Sequence, residues 1–166
     1  MEQPEGTRTY ALIDARPRAI VIHCSDPRFQ KAFDEFIREG LLLEEGEYIP
    51  LVISGGVASL SEPLKLPKEF KFMKERIELF LERYSELKRI VLINHEDCRH
   101  YEQLKSVLGR LFLQRVRSIG EKQTNDLKIV AKMLLGYAVP GLQIELYYAR
   151  FCPGETHAVT FEKIPL

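Results

Sequence analysis

The residues able to do chemistry gather in two short motifs. Cys24-Ser25-Asp26-Pro27-Arg28 closes one β-branched run, and His95-Glu96-Asp97-Cys98 closes another. Two thiolates and one imidazole form a borderline-soft donor set that suits Zn2+. Structural zinc sites close with four protein ligands, whereas catalytic ones supply three and keep a position for water or substrate. His23 precedes Cys24 on the same run, so it points to the opposite face and reads as a core histidine. His100 follows the second motif and reads as a solvated helix start, with proton shuttling as the alternative. The set Cys24, His95 and Cys98 therefore leans toward an open, catalytic site. A plain buried thiol is the competing reading for Cys24, since cysteine is often buried for packing alone.

Asp26 and Arg28 add a second element. Thiolate ligands donate charge and resist the fall in pKa that a metal imposes on bound water. A nearby carboxylate that accepts a proton from that water, or orients its lone pair, offsets the resistance. Asp26 does this only while ionised, and Arg28, two residues on, is placed to keep it so. Two other roles for Asp26 stay open: a helix cap ahead of Pro27, and a fourth metal ligand once released from Arg28. Glu96 and Asp97 read as caps for the helix that follows, with zinc binding as the alternative. Cys152, in the turn Cys152-Pro153-Gly154, reads as a spare thiol.

Such motifs meet only if the strands that carry them end side by side. Ala19–Cys24, Tyr48–Ile53 and Arg89–His95 are short apolar runs that read as buried strands, with Leu142–Phe151 and His157–Ile164 as a fourth and fifth. Between them the spacing predicts a helix from Pro27 to Gly40 carrying Phe29, Phe33, Phe36 and Ile37. A long charged helix follows over Pro67–Leu87, burying Phe70, Met73, Ile77, Phe80, Leu81 and Tyr84 and pairing Lys71 with Glu75 and Lys74 with Glu78. Further helices are expected over Tyr101–Arg117, striped by Leu104, Val107, Leu108 and Leu111, and over Asn125–Tyr137. Strands alternating with helices predict an α/β, three-layer architecture. Its sheet is mainly parallel, of about four strands with a terminal antiparallel edge strand, and helices lie on both faces. If strands one and three are neighbours, Cys24 and His95 meet outside their carboxyl ends, where sites form in such sheets.

Bulk properties narrow the function further. With 166 residues, 45% of them hydrophobic and 29% charged, a single domain over residues 1–166 is expected. Twenty-four basic and 24 acidic residues cancel without a basic cluster, which argues against a nucleic-acid partner. No apolar run has the length of a membrane span, and residues 1–18 lack the apolar core of a signal peptide, so no membrane partner and a cytoplasmic location are expected. Three cysteines, an odd number, argue against a disulfide scaffold. Cysteine-dependent phosphatases place an arginine where this chain has Gln30, and no Gly-rich phosphate cradle follows the first strand.

The paired pattern, C-x-D-x-R after the first strand and H-x-x-C after a later one, resembles the signature of β-class carbonic anhydrases. The order of elements is similar too, including the Gly-containing loop Ser54-Gly55-Gly56 after the second strand and the terminal antiparallel strand. The resemblance implies that Cys24, His95 and Cys98 ligate zinc, that Asp26 and Arg28 form a dyad orienting the nucleophile, and that Ser54, Gly55 and Gly56 border the substrate pocket. It also implies a lyase interconverting carbon dioxide and bicarbonate, built as a homodimer, with a resting form in which Asp26 closes on the metal. Hydrolysis of carbonyl sulfide or carbon disulfide on the same site is one alternative. A non-catalytic zinc-binding or interaction protein, permanently closed by Asp26, is the other. The chain departs from the family in carrying Ile53-Ser54-Gly55-Gly56 where Arg-Asn-Ala-Gly is usual, and Arg99-His100 where glycine is usual. For the dimer, Phe29, Phe33, Phe36, Ile37 and Leu41-Leu42-Leu43 supply more apolar surface than one short helix needs against a sheet, a surplus that an isologous contact would cover.

Overall fold

Aliphatic side chains fill the central strands so densely that both faces of the sheet must be covered. β1 (Ala19–Cys24) is buried at every position, and β3 (Arg89–His95) at every position but the first. The computed structural model describes residues 8–109, 117–155 and 157–166. Over these, β2 (Tyr48–Ile53), β4 (Gln143–Phe151) and β5 (Val159–Ile164) complete a sheet of order β2-β1-β3-β4-β5. β1 pairs in parallel with β2 and β3, β3 in parallel with β4, and β5 runs antiparallel at the edge.

Alternation along the strands splits the core in two. Ile20, Ile22, Ile90, Leu92 and Leu146 face α2 (Ala58–Ser61), α3 (Pro67–Arg83) and α5 (Ile119–Leu135), meeting Leu60, Met73, Ile77, Leu127 and Leu134. Val21, Val91, Ile93 and Ala149 face the other way, onto Phe29, Phe33 and Ile37. Those last residues flank or belong to α1 (Gln30–Glu35) and the wider π-helical turn Phe36–Gly40. The three-layer α/β expectation is thereby met. The chain leaves β1 for β2 on one side and later returns to β3 on the other, so the strand order reverses between β1 and β3. Cys24 and His95 close those two strands. From there α4 (Arg99–Leu108) departs directly after Cys98.

Several local expectations are corrected. Asp26 does not cap a helix starting at Pro27: its carboxylate accepts the Arg28 backbone N–H (3.0 Å), making a turn, and α1 begins only at Gln30. α5 starts at Ile119 rather than Asn125, because the Ser118 hydroxyl caps it by accepting the Glu121 N–H (3.2 Å), while the Glu121 carboxylate reaches back past Ser118 to accept the Arg117 N–H (2.8 Å). On α4, Leu104 is buried but Val107 is 73% exposed. The helix expected over 101–117 starts at Arg99 and ends at Leu108, where Gly109 turns left-handed (φ +55°); residues 110–116, with Leu111, lie outside the described residues. The surplus apolar surface expected near α1 is absent: Phe29, Phe33, Ile37, Leu41 and Leu43 are all buried, and only Leu42 of that group stands in solvent. The pairs Lys71–Glu75 and Lys74–Glu78 form as expected on α3.

Candidate metal centre

Cys24 and Cys98 bring their sulfurs to 3.8 Å at the carboxyl end of the sheet. Two sulfurs each about 2.3 Å from a tetrahedral zinc would stand about 3.8 Å apart. His95 completes the set: its donor atom and both sulfurs lie within 4.8 Å of one another, and all three residues are buried. The imidazole is oriented from behind. Nδ1–H donates to the Glu96 carbonyl (2.8 Å), and the ring packs on Phe29 at 4.1 Å between centroids. Nε2 is left buried without a hydrogen-bond partner among the described residues. An orphaned buried imidazole nitrogen facing two thiols is costly by itself and is what a metal ligand looks like before it binds. The donor set therefore fits a metal ion.

The thiols are electrostatically unequal. Hydrogen bonding from the Cys98 thiol and from the Gly55 N–H (3.3 Å) holds the Cys24 thiol down to about 4. The same contact, together with burial, pushes Cys98 up. A metal binding both sulfurs would take them as thiolates and release their protons.

Asp26 stands beside this cluster without joining it. Arg28 grips its carboxylate from the side, Nη2 to Oδ2 at 2.8 Å and Nε to Oδ1 at 3.1 Å. That grip holds Asp26 below its ordinary carboxylate range. Arg28 is itself held: Nη1 donates to the Asp97 carboxylate (2.7 Å) and Nη2 to the Asp97 carbonyl (2.8 Å). Asp97 takes a left-handed conformation (φ +55°) to present both groups. So Asp97 does not cap α4, and Glu96 does not either; the Glu96 carboxylate accepts the Phe151 N–H (2.9 Å) at the end of β4. Gln30 ties the first motif down, donating to the carbonyls of Cys24 (3.0 Å) and Asp26 (2.7 Å).

The loop after β2 closes the other flank. Gly55 (φ +79°) and Gly56 (φ +57°) adopt backbone that disfavours side chains. A Cβ on Gly56 would meet Asn94 Oδ1 at 2.8 Å and the Ile93 carbonyl at 3.1 Å, while one on Gly55 would strike the His100 ring at 2.3 Å. His100 is not a free surface residue: its Nδ1 lies 3.1 Å from Ser54 Oγ, and burial pushes the imidazole below its ordinary value. His23 packs against Phe33 on the opposite face from Cys24, as expected. Cys152 is half-buried and unpaired, away from the cluster.

Behind the site runs a buried polar network that the sequence reading missed. Gln123 donates to the His95 carbonyl (2.8 Å) and accepts from Tyr148 Oη (2.7 Å). Tyr101, on the first turn of α4, donates to Asp126 (2.9 Å), which also pairs with Lys122. Only the Ser118-x-x-Glu121 cap, which starts four residues before Lys122, signals that α5 begins early enough to bring these groups inside.

No sequence-family profile and no curated protein matches the chain. Solved structures do match. A tetrameric β-carbonic anhydrase from Sordaria macrospora aligns with a TM-score of 0.57 at 12% identity, covering 92% of this chain and 83% of that one. This chain has the β-carbonic anhydrase fold. The β-carbonic anhydrase CafA of Aspergillus fumigatus aligns at 0.53, with 17% identity over 90% of this chain and 76% of that one. A carbonic anhydrase from Glaciozyma antarctica aligns at 0.51, again with 17% identity, over 90% and 84%. At such identities the likeness is one of fold, and the β-carbonic anhydrase architecture is here carried by a strongly divergent sequence.

Proposed function

We propose that the chain is a zinc-dependent lyase that interconverts carbon dioxide and bicarbonate, with Cys24, His95 and Cys98 as the metal ligands and Asp26 and Arg28 as the catalytic dyad. The observation that carries this reading is the state of Asp26. Its carboxylate is ionised and gripped by Arg28 next to a three-donor cluster, so the fourth metal position is left to water. A bound zinc ion supplies a Lewis acid that lowers the pKa of water from 15.7 to about 7.

The chain's own residues do the rest. Cys24 Sγ, Cys98 Sγ and His95 Nε2 would hold the metal, and the Glu96 carbonyl fixes the tautomer that frees Nε2. An ionised carboxylate offers about four acceptor positions and no donor. Asp26 Oδ1 spends its positions on the Arg28 N–H and Nε, while Oδ2 takes Nη2 and only a longer contact from Nε (3.3 Å). Oδ2 therefore keeps room for one more donor, the attacking water, and by accepting its hydrogen would turn that water's lone pair toward carbon dioxide. Carbon dioxide and water give bicarbonate and one proton. Arg28 keeps Asp26 charged through the cycle, and Asp97 keeps Arg28 in place. Ser54, Gly55 and Gly56 border the substrate side, their backbone held close by the lack of side chains at 55 and 56.

Self-association, a dimer or larger, belongs to the same proposal. It is supported by the tetrameric Sordaria macrospora structure, no longer by the apolar residues of α1. A cytoplasmic setting is supported by the three unpaired cysteines. Among the described residues no helix is long and apolar enough to cross a membrane. Stopped-flow hydration of carbon dioxide by zinc-loaded protein tests the reading. Wild type is expected to turn over, and Asp26→Ala to keep its zinc yet lose at least about a hundredfold, the usual worth of a positioned acid–base group. A zinc-loaded wild type without hydration at any pH would replace the lyase with a non-catalytic zinc protein.

A further inference from the structure

The direction of the His95 imidazole depends on the peptide that carries it. Glu96 turns its N–H to the Ala149 carbonyl on β4 (2.9 Å). Successive peptide groups of a strand point to opposite sides, so the His95 carbonyl faces β1. β1 pairs with β3 only as far as Leu92, which leaves that carbonyl beyond the ladder. A buried carbonyl without a partner is costly, and Gln123 of α5 supplies one, its Nε2 donating at 2.8 Å. The peptide between His95 and Glu96 is thus held at its oxygen by Gln123 and at its nitrogen by Ala149. With both ends fixed, and Nδ1–H bonded to the Glu96 carbonyl, the ring has one direction in which to present Nε2.

The Gln123 amide is itself oriented. A carbonyl only accepts, so nitrogen must face His95 and Oε1 must face Tyr148. Tyr148 Oη then donates to Oε1 (2.7 Å). Gln123 and Tyr148 are each 1% exposed, so solvent cannot take over either bond. Their surroundings leave little play. Asn94 Nδ2 donates to the Gln123 carbonyl (3.1 Å), and Tyr148 Oη lies 3.4 Å from where a Cβ on Gly120 would stand. A row of hydrogen bonds therefore runs from β4 through the first turns of α5 to His95.

We propose that Gln123 and Tyr148 are positioning residues for the metal centre, acting through the main chain of His95 to aim Nε2 at Cys24 and Cys98. The inference rests on the reading that those three residues bind a metal, and extends it to two side chains that touch neither the thiols nor the imidazole. A purely structural role, tying α5 to the sheet, predicts something different: lost stability with an unchanged metal centre.

Two measurements on the purified full chain separate the roles. One is the affinity for Zn2+ in competition with a chromophoric chelator. The other is the visible d–d absorption of the Co2+-loaded protein, which follows coordination geometry. Gln123→Met keeps the length of the side chain and loses both hydrogen bonds. It should weaken Zn2+ binding about tenfold, the lower end of what partners of metal ligands contribute, and alter the Co2+ spectrum. Tyr148→Phe frees the amide without removing it and should weaken Zn2+ binding about threefold, the worth of one modest hydrogen bond. Adding Tyr148→Phe to Gln123→Met removes a buried hydroxyl that has lost its partner, so Tm should rise again. Zn2+ affinity should nevertheless stay at the Gln123→Met value, because the row to His95 is already cut. A Gln123→Met chain with wild-type affinity and Co2+ spectrum would overturn the inference, as would a double variant whose affinity recovers along with its Tm. A wild type that binds neither ion would bring down the metal reading and this inference together, whereas variants matching a metal-binding wild type bring down the inference alone. Should Gln123→Met fail to fold, Tyr148→Phe decides, and an unchanged affinity and spectrum would overturn the inference.

Discussion

Gly55→Ala is the substitution whose cost the structure lets one divide into parts. At φ +79° an alanine sits in left-handed backbone, at about 1–2 kcal/mol. Its Cβ would also stand 2.3 Å from Cδ2 and 2.9 Å from Cγ of His100, so the ring must move. Leaving its rotamer costs about 1 kcal/mol, and giving up the Ser54 hydroxyl costs about another. The sum is about 3–4 kcal/mol. For a chain of this size each kcal/mol lowers Tm by roughly 2–4 °C, so a fall of about 6–16 °C is expected. His100→Ala provides the internal control, since it removes the ring and leaves only the backbone term. In that background Gly55→Ala should cost about 1–2 kcal/mol, leaving a coupling of about 2 kcal/mol between the two positions. Thermal unfolding followed by circular dichroism on the four proteins of the cycle measures this. A Gly55→Ala chain as stable as wild type would refute the reasoning, as would an equal loss with and without His100.

Other expectations follow from the same geometry. Cys98→Ser should abolish zinc binding while Cys152→Ser leaves it at one ion per chain, as measured by elemental analysis; the reverse pattern would reassign the ligands. Asp97→Asn removes a half-exposed charge from Arg28 but keeps an acceptor and tolerates left-handed backbone. It should therefore lower turnover by less than about tenfold with zinc retained, an exposed ion pair being worth up to about 1 kcal/mol. Burial pushes Tyr148 up to about 12, while an unfolded tyrosine titrates near about 10. The unfolded chain thus loses that proton first, and stability should fall as pH rises through that window. Denaturant unfolding at about pH 9 and about pH 11 should give a smaller loss for Tyr148→Phe than for wild type.

Strand content was legible because β1, β2 and β3 are short apolar runs whose ends the sequence marks sharply, at Asp26-Pro27, Gly55-Gly56 and the His95 motif. The grouping of Cys24, His95 and Cys98 is legible for the same reason: Cys24 and His95 close two strands that pair in parallel, and Cys98 follows three residues after the second. Asp26 shows where local rules compete. The residue type favours a helix cap, but Arg28 takes its carboxylate through three donor atoms, so the helix starts later. The partners that hold the site from a distance were not legible. Asp97, Gln123 and Tyr101 reach it through conformations and pairings that spacing does not encode, a left-handed residue in one case and contacts across 25 residues or more in the others. His100 was read as solvated because nothing local announces that Gly55 makes room for its ring. The apolar residues of α1 looked surplus only because the sequence does not reveal how much of the sheet one short helix and a π-helical turn must cover.

The central claim is that Cys24, His95 and Cys98 hold one zinc ion and leave a position for water. X-ray absorption at the zinc edge of the purified protein tests it without reference to activity. The account predicts one zinc per chain with two sulfurs at about 2.3 Å and two nitrogen or oxygen neighbours at about 2.0–2.1 Å, one of them lost as a solvent ligand when water is displaced by added anion. A first shell with no sulfur, with four sulfurs, or with no stoichiometric zinc at all would contradict it.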